Sequence, residues 1–275
     1  MSQFFKLVDP TIPLFPATSW QKQYPVPPDF IDRRMPTTEY LDGRNGPVPD
    51  CDRQASLQDL SGMMRWPGMR SPVLKELKTL IKDAQFSPKQ PIRLLEVGCG
   101  TGELGRWVAT RLARSGFSVD LMLSDLRTDH ILPTPPEIAR HPQIRESQVA
   151  CDLLRDSLPL HDISVMHFAL HHFSDAQIDA VMRRLVGGAS VGGVFSDLEL
   201  HPLSFYFVRA FFPFLMQSPV TVADGMLSVQ QAFSRRDWEE RRNFVLSAGA
   251  DHAVSRPYFP FRLLLRWRKE FSHEP

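Results

Sequence analysis

The stretch LLEVGCGTGELG, residues 94–105, decides how the rest of the chain is read. A short apolar run ends in glycines at 98, 100, 102 and 105, and helix-forming residues follow, so the local pattern is strand, turn, helix. Two spacings overlap within it. Gly100, Gly102 and Gly105 satisfy G-x-G-x-x-G, the pattern that seats a diphosphate on a helix N-terminus. Glu96, Gly98, Gly100 and Gly102 satisfy E-x-G-x-G-x-G, in which a carboxylate closes the strand and three glycines let a ligand lie against bare backbone.

Outward from the loop, strand and helix patterns alternate. IRLLEV (92–97) precedes the glycines, and Leu104, Trp107, Val108 and Leu112 follow near helical spacing. SVDLMLSD (118–125), SQVACD (147–152), ISVMHFAL (163–170) and GGVFSDLEL (192–200) read as further strands, and DAQIDAVMRRLVGG (175–188) as a helix with a glycine stop. This alternation predicts an α/β domain with a largely parallel sheet and right-handed crossovers. Ahead of it, 55–64 and 72–83 have helical spacing, with Ser71 as an N-cap and Pro72 in the first turn of the second.

The two ends of the chain read differently. Residues 1–55 form a proline-rich arm, and Phe4, Phe5, Leu14, Phe15 and Trp20 predict that it docks on the domain that occupies 56–275. Near the other end, Phe259, Phe261, Leu263, Leu265 and Trp267 alternate with Arg262, Arg266 and Arg268. That period of two predicts an antiparallel last strand with one buried and one wet face.

A formal net charge of +1 excludes an electrostatic case for nucleic acid as the main partner. Cys51, Cys99 and Cys151 lie far apart and form neither a zinc pattern nor a disulfide framework, which predicts a reducing, cytoplasmic setting. Asp9, Pro10 and Pro13 break the N-terminus before a signal-peptide core forms. The most lipophilic stretch (203–216) carries Arg209 and Pro213 and is too short to span a bilayer, so no stable membrane insertion is expected.

Position 103 separates the two parses of the loop. Gly98 is the glycine that closes the strand, and a dinucleotide pattern counted from it needs glycine at 103, where the chain has Glu. A carboxylate there faces any diphosphate in the first helical turn. The parse from Gly100 remains open if the strand runs two residues longer.

Over roughly residues 70–268 this order of motifs resembles the class I S-adenosylmethionine (SAM) dependent methyltransferases. The resemblance implies a Rossmann-like methyltransferase fold: a mostly parallel seven-stranded sheet with an antiparallel last strand. It implies SAM as cofactor, with Glu96, Gly98, Cys99, Gly100 and Gly102 around the methionine portion. Asp125, with Leu126 beside it, matches the residue placed on the ribose hydroxyls. Asp152 matches the residue that meets the adenine amino group, with Leu153 against the ring. Ala169 to His172 fall where the fourth strand opens into the site, and Asp162 matches that strand's start and reads as structural.

An acceptor is deprotonated best by a neutral imidazole near pH 7, which nominates His171 and His172 as catalytic, with His201 a further candidate. Residues 201–232 exceed a simple crossover and predict a helical lid, in which Phe205, Tyr206, Phe211 and Phe212 suit a planar, lipophilic small-molecule acceptor such as a phenol, quinone or polyketide. O-methylation is the favoured chemistry. No metal is expected, because H-F-A-L-H-H (His167, His171, His172) has no adjacent carboxylate. Trp20, Tyr24, Arg33, Arg34 and Trp66 are candidate contributions from the N-terminal side. Two other classes stay open: a catalytically silent SAM-binding scaffold and an NAD-dependent oxidoreductase.

Overall fold

IRLLEV forms β1 (Ile92–Val97) at the centre of a sheet that has seven strands among the described residues, in the order β3–β2–β1–β4–β5–β7–β6. The computed structural model describes residues 23–27, 29–35, 37–43, 47–87 and 90–270. Phe4, Phe5, Leu14, Phe15 and Trp20, on which the docking expectation for the arm rests, lie outside them. β2 (Val119–Asp125), β3 (Ile144–Ala150), β4 (His161–His167) and β5 (Ala189–Leu198) continue the parallel set. β6 (His252–Tyr258) and β7 (Arg262–Arg268) run antiparallel. Helices α1 (Asp50–Met63), α2 (Ser71–Asp83), α3 (Glu103–Ala113), α4 (Pro136–Ala139), α5 (Asp175–Gly188), α6 (Pro202–Leu215), α7 (Pro219–Gln231) and α8 (Arg235–Ser247) surround it.

The period of two along β1 builds both layers. Ile92 and Leu94 join the core on the face covered by Val73 and Leu77 of α2 and Leu104, Val108 and Leu112 of α3. Leu95 and Val97 join the other core, with Ile178 and Val181 of α5 and Trp238 and Val245 of α8. Each such side chain, fully buried, contributes about 1.5–3 kcal/mol over its exposed state. Strand order reverses between β1 and β4, and in open sheets of this kind ligands sit beyond the carboxyl ends of the strands at such a reversal.

Several boundaries differ from the sequence reading. The first helix begins at Asp50, taking the end of the arm with it, because Asp50 and Asp52 in its first turn complement the helix dipole. Arg70 occupies the N-cap of α2, and Ser71 is the first helical residue, with no side-chain cap. The closing segment is a hairpin rather than one strand, and Phe259 lies in its turn, 88 % exposed.

The wet face predicted for the last strand is instead packed against α2 and the chain that enters it. Arg262 is buried and donates to the carbonyls of Met69 (2.9 Å) and Phe259 (3.0 Å). Arg266 pairs with Glu76 (3.1 Å) and Asp83 (3.6 Å) on α2. The arginines are there to pair with that helix and cap that turn.

Residues 201–232 do form two helices. Phe205, Val208 and Phe212 of α6 pack with Val222, Met226 and Val229 of α7, and Val26, Phe30, Met63 and Trp66 close over them. Asp59 of α1 accepts from the Gln217 and Ser218 amides (3.0 and 2.9 Å) and from the Thr221 hydroxyl (2.9 Å), tying this unit down.

Candidate active site

Beyond β1 the chain turns on glycines with positive φ: Gly98 (61°), Gly100 (51°) and Gly102 (77°). A Cβ on Gly98 would come within 2.7 Å of Ala169 Cβ, so glycine is required where the exits of β1 and β4 meet. A Cβ on Gly100 would meet nothing within 4 Å, so the outer side of the loop is open. Cys99 is buried and donates its amide to the Ser124 carbonyl (3.0 Å). Asp125 locks the loop from β2: one oxygen accepts the Gly100 amide and the other the Arg127 amide, both at 2.9 Å. Leu126 beside it is 63 % exposed, an apolar surface at the rim.

Glu96 points elsewhere. It is buried under α3 and accepts the Gly105 amide (2.8 Å), and a Cβ on Gly105 would run into its carboxylate. Burial with one amide donor pushes its pKa up to about 8, which holds it protonated near neutrality. Glu96 thus fastens α3 to β1, and the carboxylate expected to meet a methionine ammonium is turned to the Gly105 amide. Glu103 occupies the N-terminus of α3, accepting from Ser61 (2.7 Å) and Arg65 (2.9 Å). The dipole end that a diphosphate would need already carries a carboxylate.

Asp152 caps its own turn, accepting the Leu154 amide (2.9 Å), and Leu153 beside it is buried. Asp162 is structural as expected: it takes the Arg93 amide (2.9 Å) and side chain and the Ser190 hydroxyl (2.8 Å).

After β4, Phe168 adopts φ 52°, a strained value for a non-glycine residue, and the chain makes a 3₁₀ turn over Leu170–His172. The turn brings His171 and His172 into a stack, ring centroids 4.4 Å apart. His171 is buried between two carboxylates, with Nδ1 2.6 Å from Asp197 Oδ1 and Nε2 3.3 Å from Glu39 Oε1. Its amide also goes to Asp197 (3.1 Å). Burial alone would lower its pKa, but the charges and hydrogen bonds of Asp197 and Glu39 outweigh burial and raise it to about 10. His172, with a side chain 26 % exposed, lies 3.9 Å from Glu39 Oε2 and 3.3 Å from Asp42 Oδ2. Burial lowers its pKa too, and the Glu39 charge reverses that to a net rise.

The carboxylates the sequence reading found lacking beside these histidines therefore exist, supplied from 132 residues upstream and from β5. Glu39 also receives hydrogen bonds from Ser228 and from Gln231 Nε2 (3.4 Å). The irregular segment carrying it is strapped down by Asp224, which accepts the amides of Tyr40 (2.6 Å) and Leu41 (2.9 Å). Arg34, one of the arm candidates, donates to the carbonyls of His171 (3.2 Å), Phe173 (2.6 Å) and Gln231 (2.8 Å). Glu39, Asp42, Asp197 and Asp224 were missed. The available signal was an acid inside an apolar run, in VFSDLEL for Asp197 and VADGML for Asp224.

Other expectations divide. His201 is a cap, its Nδ1 accepting the Leu203 amide (3.1 Å), and its ring stacks on Phe261. His167 is buried with both ring nitrogens unpartnered, and burial drives its pKa down to about 3. Phe205 and Phe212 are core, Tyr206 is half-buried against Phe205, and Phe211 is on the outer face, 52 % exposed. Helical periodicity explains that split: 205, 208 and 212 share the face toward α7, while 207, 211 and 214 lie opposite.

No family model matches the chain, and no curated protein matches it either. Solved structures do. The plantazolicin methyltransferase BpumL, in complex with S-adenosylhomocysteine (SAH), aligns with a TM-score of 0.56 over 80 % of this chain and 91 % of its own, at 12 % identity. The fold is the Rossmann-like methyltransferase fold. The DszA carbon methyltransferase shares it at TM-score 0.54 and 12 % identity, over 76 % of this chain and 57 % of that one. So does human N-acetylserotonin methyltransferase, solved with SAM, at 0.51 and 15 %, over 85 % and 63 %. On this methyltransferase fold, the glycine loop and the histidine turn adjoin at the carboxyl ends of β1 and β4, where strand order reverses.

Proposed function

We propose that the chain is a SAM-dependent methyltransferase acting on a small aromatic or lipophilic acceptor, with transfer to oxygen the favoured chemistry. The observation that carries this reading is the loop Gly98–Gly102, open on its outer side, bound to Asp125 and followed by a helix N-terminus already holding Glu103. That arrangement fits a ligand with a ribose and no diphosphate. When bound, SAM supplies an electrophilic methyl group. Asp125 would hold the ribose hydroxyls, Gly98, Cys99, Gly100 and Gly102 would offer backbone to the methionine portion, and Asp152 and Leu153 would flank the adenine.

His172, whose side chain is partly exposed, is the imidazole placed to take a proton from an acceptor hydroxyl, and it does so in its neutral form, which the Glu39 charge shifts to higher pH. His171, enclosed by Asp197 and Glu39, is a positioning residue. Much of the acceleration in such a transfer comes from orientation, for which about 7–11 kcal/mol is available in favourable cases. Among the described residues no helix is long and apolar enough to cross a membrane. The three cysteines are unpaired, which supports the cytoplasmic reading.

Calorimetric titration with SAM, SAH and NADH, on wild type and on Asp125→Ala, tests the proposal. Micromolar binding of SAM and SAH, weakened at least about tenfold in the variant, is expected from loss of a charge-assisted hydrogen-bond acceptor. Binding of NADH alone would overturn it in favour of the dinucleotide parse. SAM binding without turnover on phenols and quinones would leave a scaffold.

A further inference from the structure

We infer that Glu39, His171 and His172 form a binding site for one divalent first-row transition ion of the zinc type. One ligating atom from each of the three residues lies within 4.8 Å of the others. The Nε2 atoms of both imidazoles lie near the Glu39 carboxylate, at 3.3 and 3.9 Å, because the two rings are stacked. Two imidazoles and one carboxylate suit zinc, cobalt or iron and disfavour magnesium and calcium, which prefer all-oxygen sets. Three protein ligands leave a position open, as metal sites that handle substrates do.

Two further features of the surroundings fit a metal. Asp197, fully buried, binds His171 Nδ1 at 2.6 Å, so that nitrogen keeps its proton, and Nε2, hydrogen-bonded to Glu39, is the one that would give up its proton to an incoming ion. A carboxylate behind a ligating histidine is the usual outer partner of such sites. The site is also acidic: the Glu39 and Asp197 carboxylates flank His171, and the nearby Arg34 guanidinium is turned to backbone carbonyls and to Asp175, which leaves a cation's charge to be taken up. The ligands are held from three sides: Ser228 and Gln231 on Glu39, Asp197 on His171, and Asp42 on His172.

Metal binding would occupy Nε2 of His172 and so replace the proton-accepting role proposed above for that ring, while the SAM reading is untouched; the site is tested by metal uptake alone. The full chain, stripped with a chelator, is titrated with Co²⁺ by visible absorption and with Zn²⁺ by calorimetry. One ion per chain, with cobalt ligand-field bands, is expected. Affinity should fall more than about 100-fold in Glu39→Gln and in His172→Ala, and about 10–100-fold in Asp197→Asn, whose change touches only the outer partner. His172→Ala alters a partly exposed side chain, so near-ultraviolet circular dichroism should show it folded. No stoichiometric uptake by folded wild type, uptake unchanged in Glu39→Gln and His172→Ala, or uptake of Mg²⁺ or Ca²⁺ alone would each overturn the site. SAM titration of the same samples separates failure of this inference from failure of the proposed function.

Discussion

Glu96 and Asp197 occupy equivalent places. Each is the penultimate residue of a strand, β1 or β5, on either side of β4, and both are buried. Their ionisation nevertheless runs in opposite directions. Glu96 meets one backbone amide, and burial pushes it up to about 8. Burial would raise Asp197 as well, but His171 reverses this and holds it below the usual carboxylate range. Position in the fold sets burial, and the partner sets charge. The β1 exit accordingly holds a neutral fastener, and the β5 exit a charged anchor that orients an imidazole.

The largest break in this comparison comes from removing the charged anchor. Asp197→Ala leaves His171 buried without its nearest carboxylate, and a loss of about 3–5 kcal/mol is expected in urea unfolding at pH 7. A loss under about 1 kcal/mol would mean that Glu39 alone holds the ring.

Next in size is the pH response of Glu96. Its folded pKa is raised to about 8 from an ordinary 4.5, so its favourable contribution is complete below about pH 4.5 and is lost as pH rises through 8. Wild type should lose up to about 4–5 kcal/mol over that window from this group. Glu96→Gln, which keeps an acceptor for Gly105, should flatten the profile of unfolding free energy against pH. An unchanged slope in the variant would show that Glu96 is ionised throughout.

A smaller effect sharpens the same point from the other side. Gly105→Ala inserts a methyl group against the Glu96 carboxylate and within 2.9 Å of Leu123 Cδ2. About 1–3 kcal/mol of destabilisation is expected in thermal melts.

The contrast also explains what could be read from the sequence. The β1 exit is built within one contiguous stretch plus Asp125, so its glycines, strand and helix were legible as local spacing, and α5 fell on the predicted residues. The β5 exit depends on pairs such as Glu39 with His171, 132 residues apart, and no local pattern records which distant acid meets which histidine. The same blindness misplaced the closing arginines. Period two shows that Arg262 and Arg266 share a face, but not that α2 covers it with Glu76. On α6 the aromatic content was visible, yet composition alone does not say that Phe211 faces outward while Phe212 faces α7.

The strap over the histidine turn carries a consequence for assembly. Its hydrogen bonds join residues 132 to 199 positions apart, from Glu39 with His171 to Ile31 with Gln230. Such contacts form only after the chain between them has been placed, because the entropy of closing so long a loop is not offset earlier. The glycine loop needs only β1, α3 and β2 and can mature first. The strap, which adds apolar contacts of Tyr24, Tyr40 and Leu41 with Val220 and Ala223 to its hydrogen bonds, is then expected to seat after the sheet core, and hydrogen exchange of its amides checks this. The chain thus divides into an early-forming half and a late-forming half, and the two histidines lie on the seam.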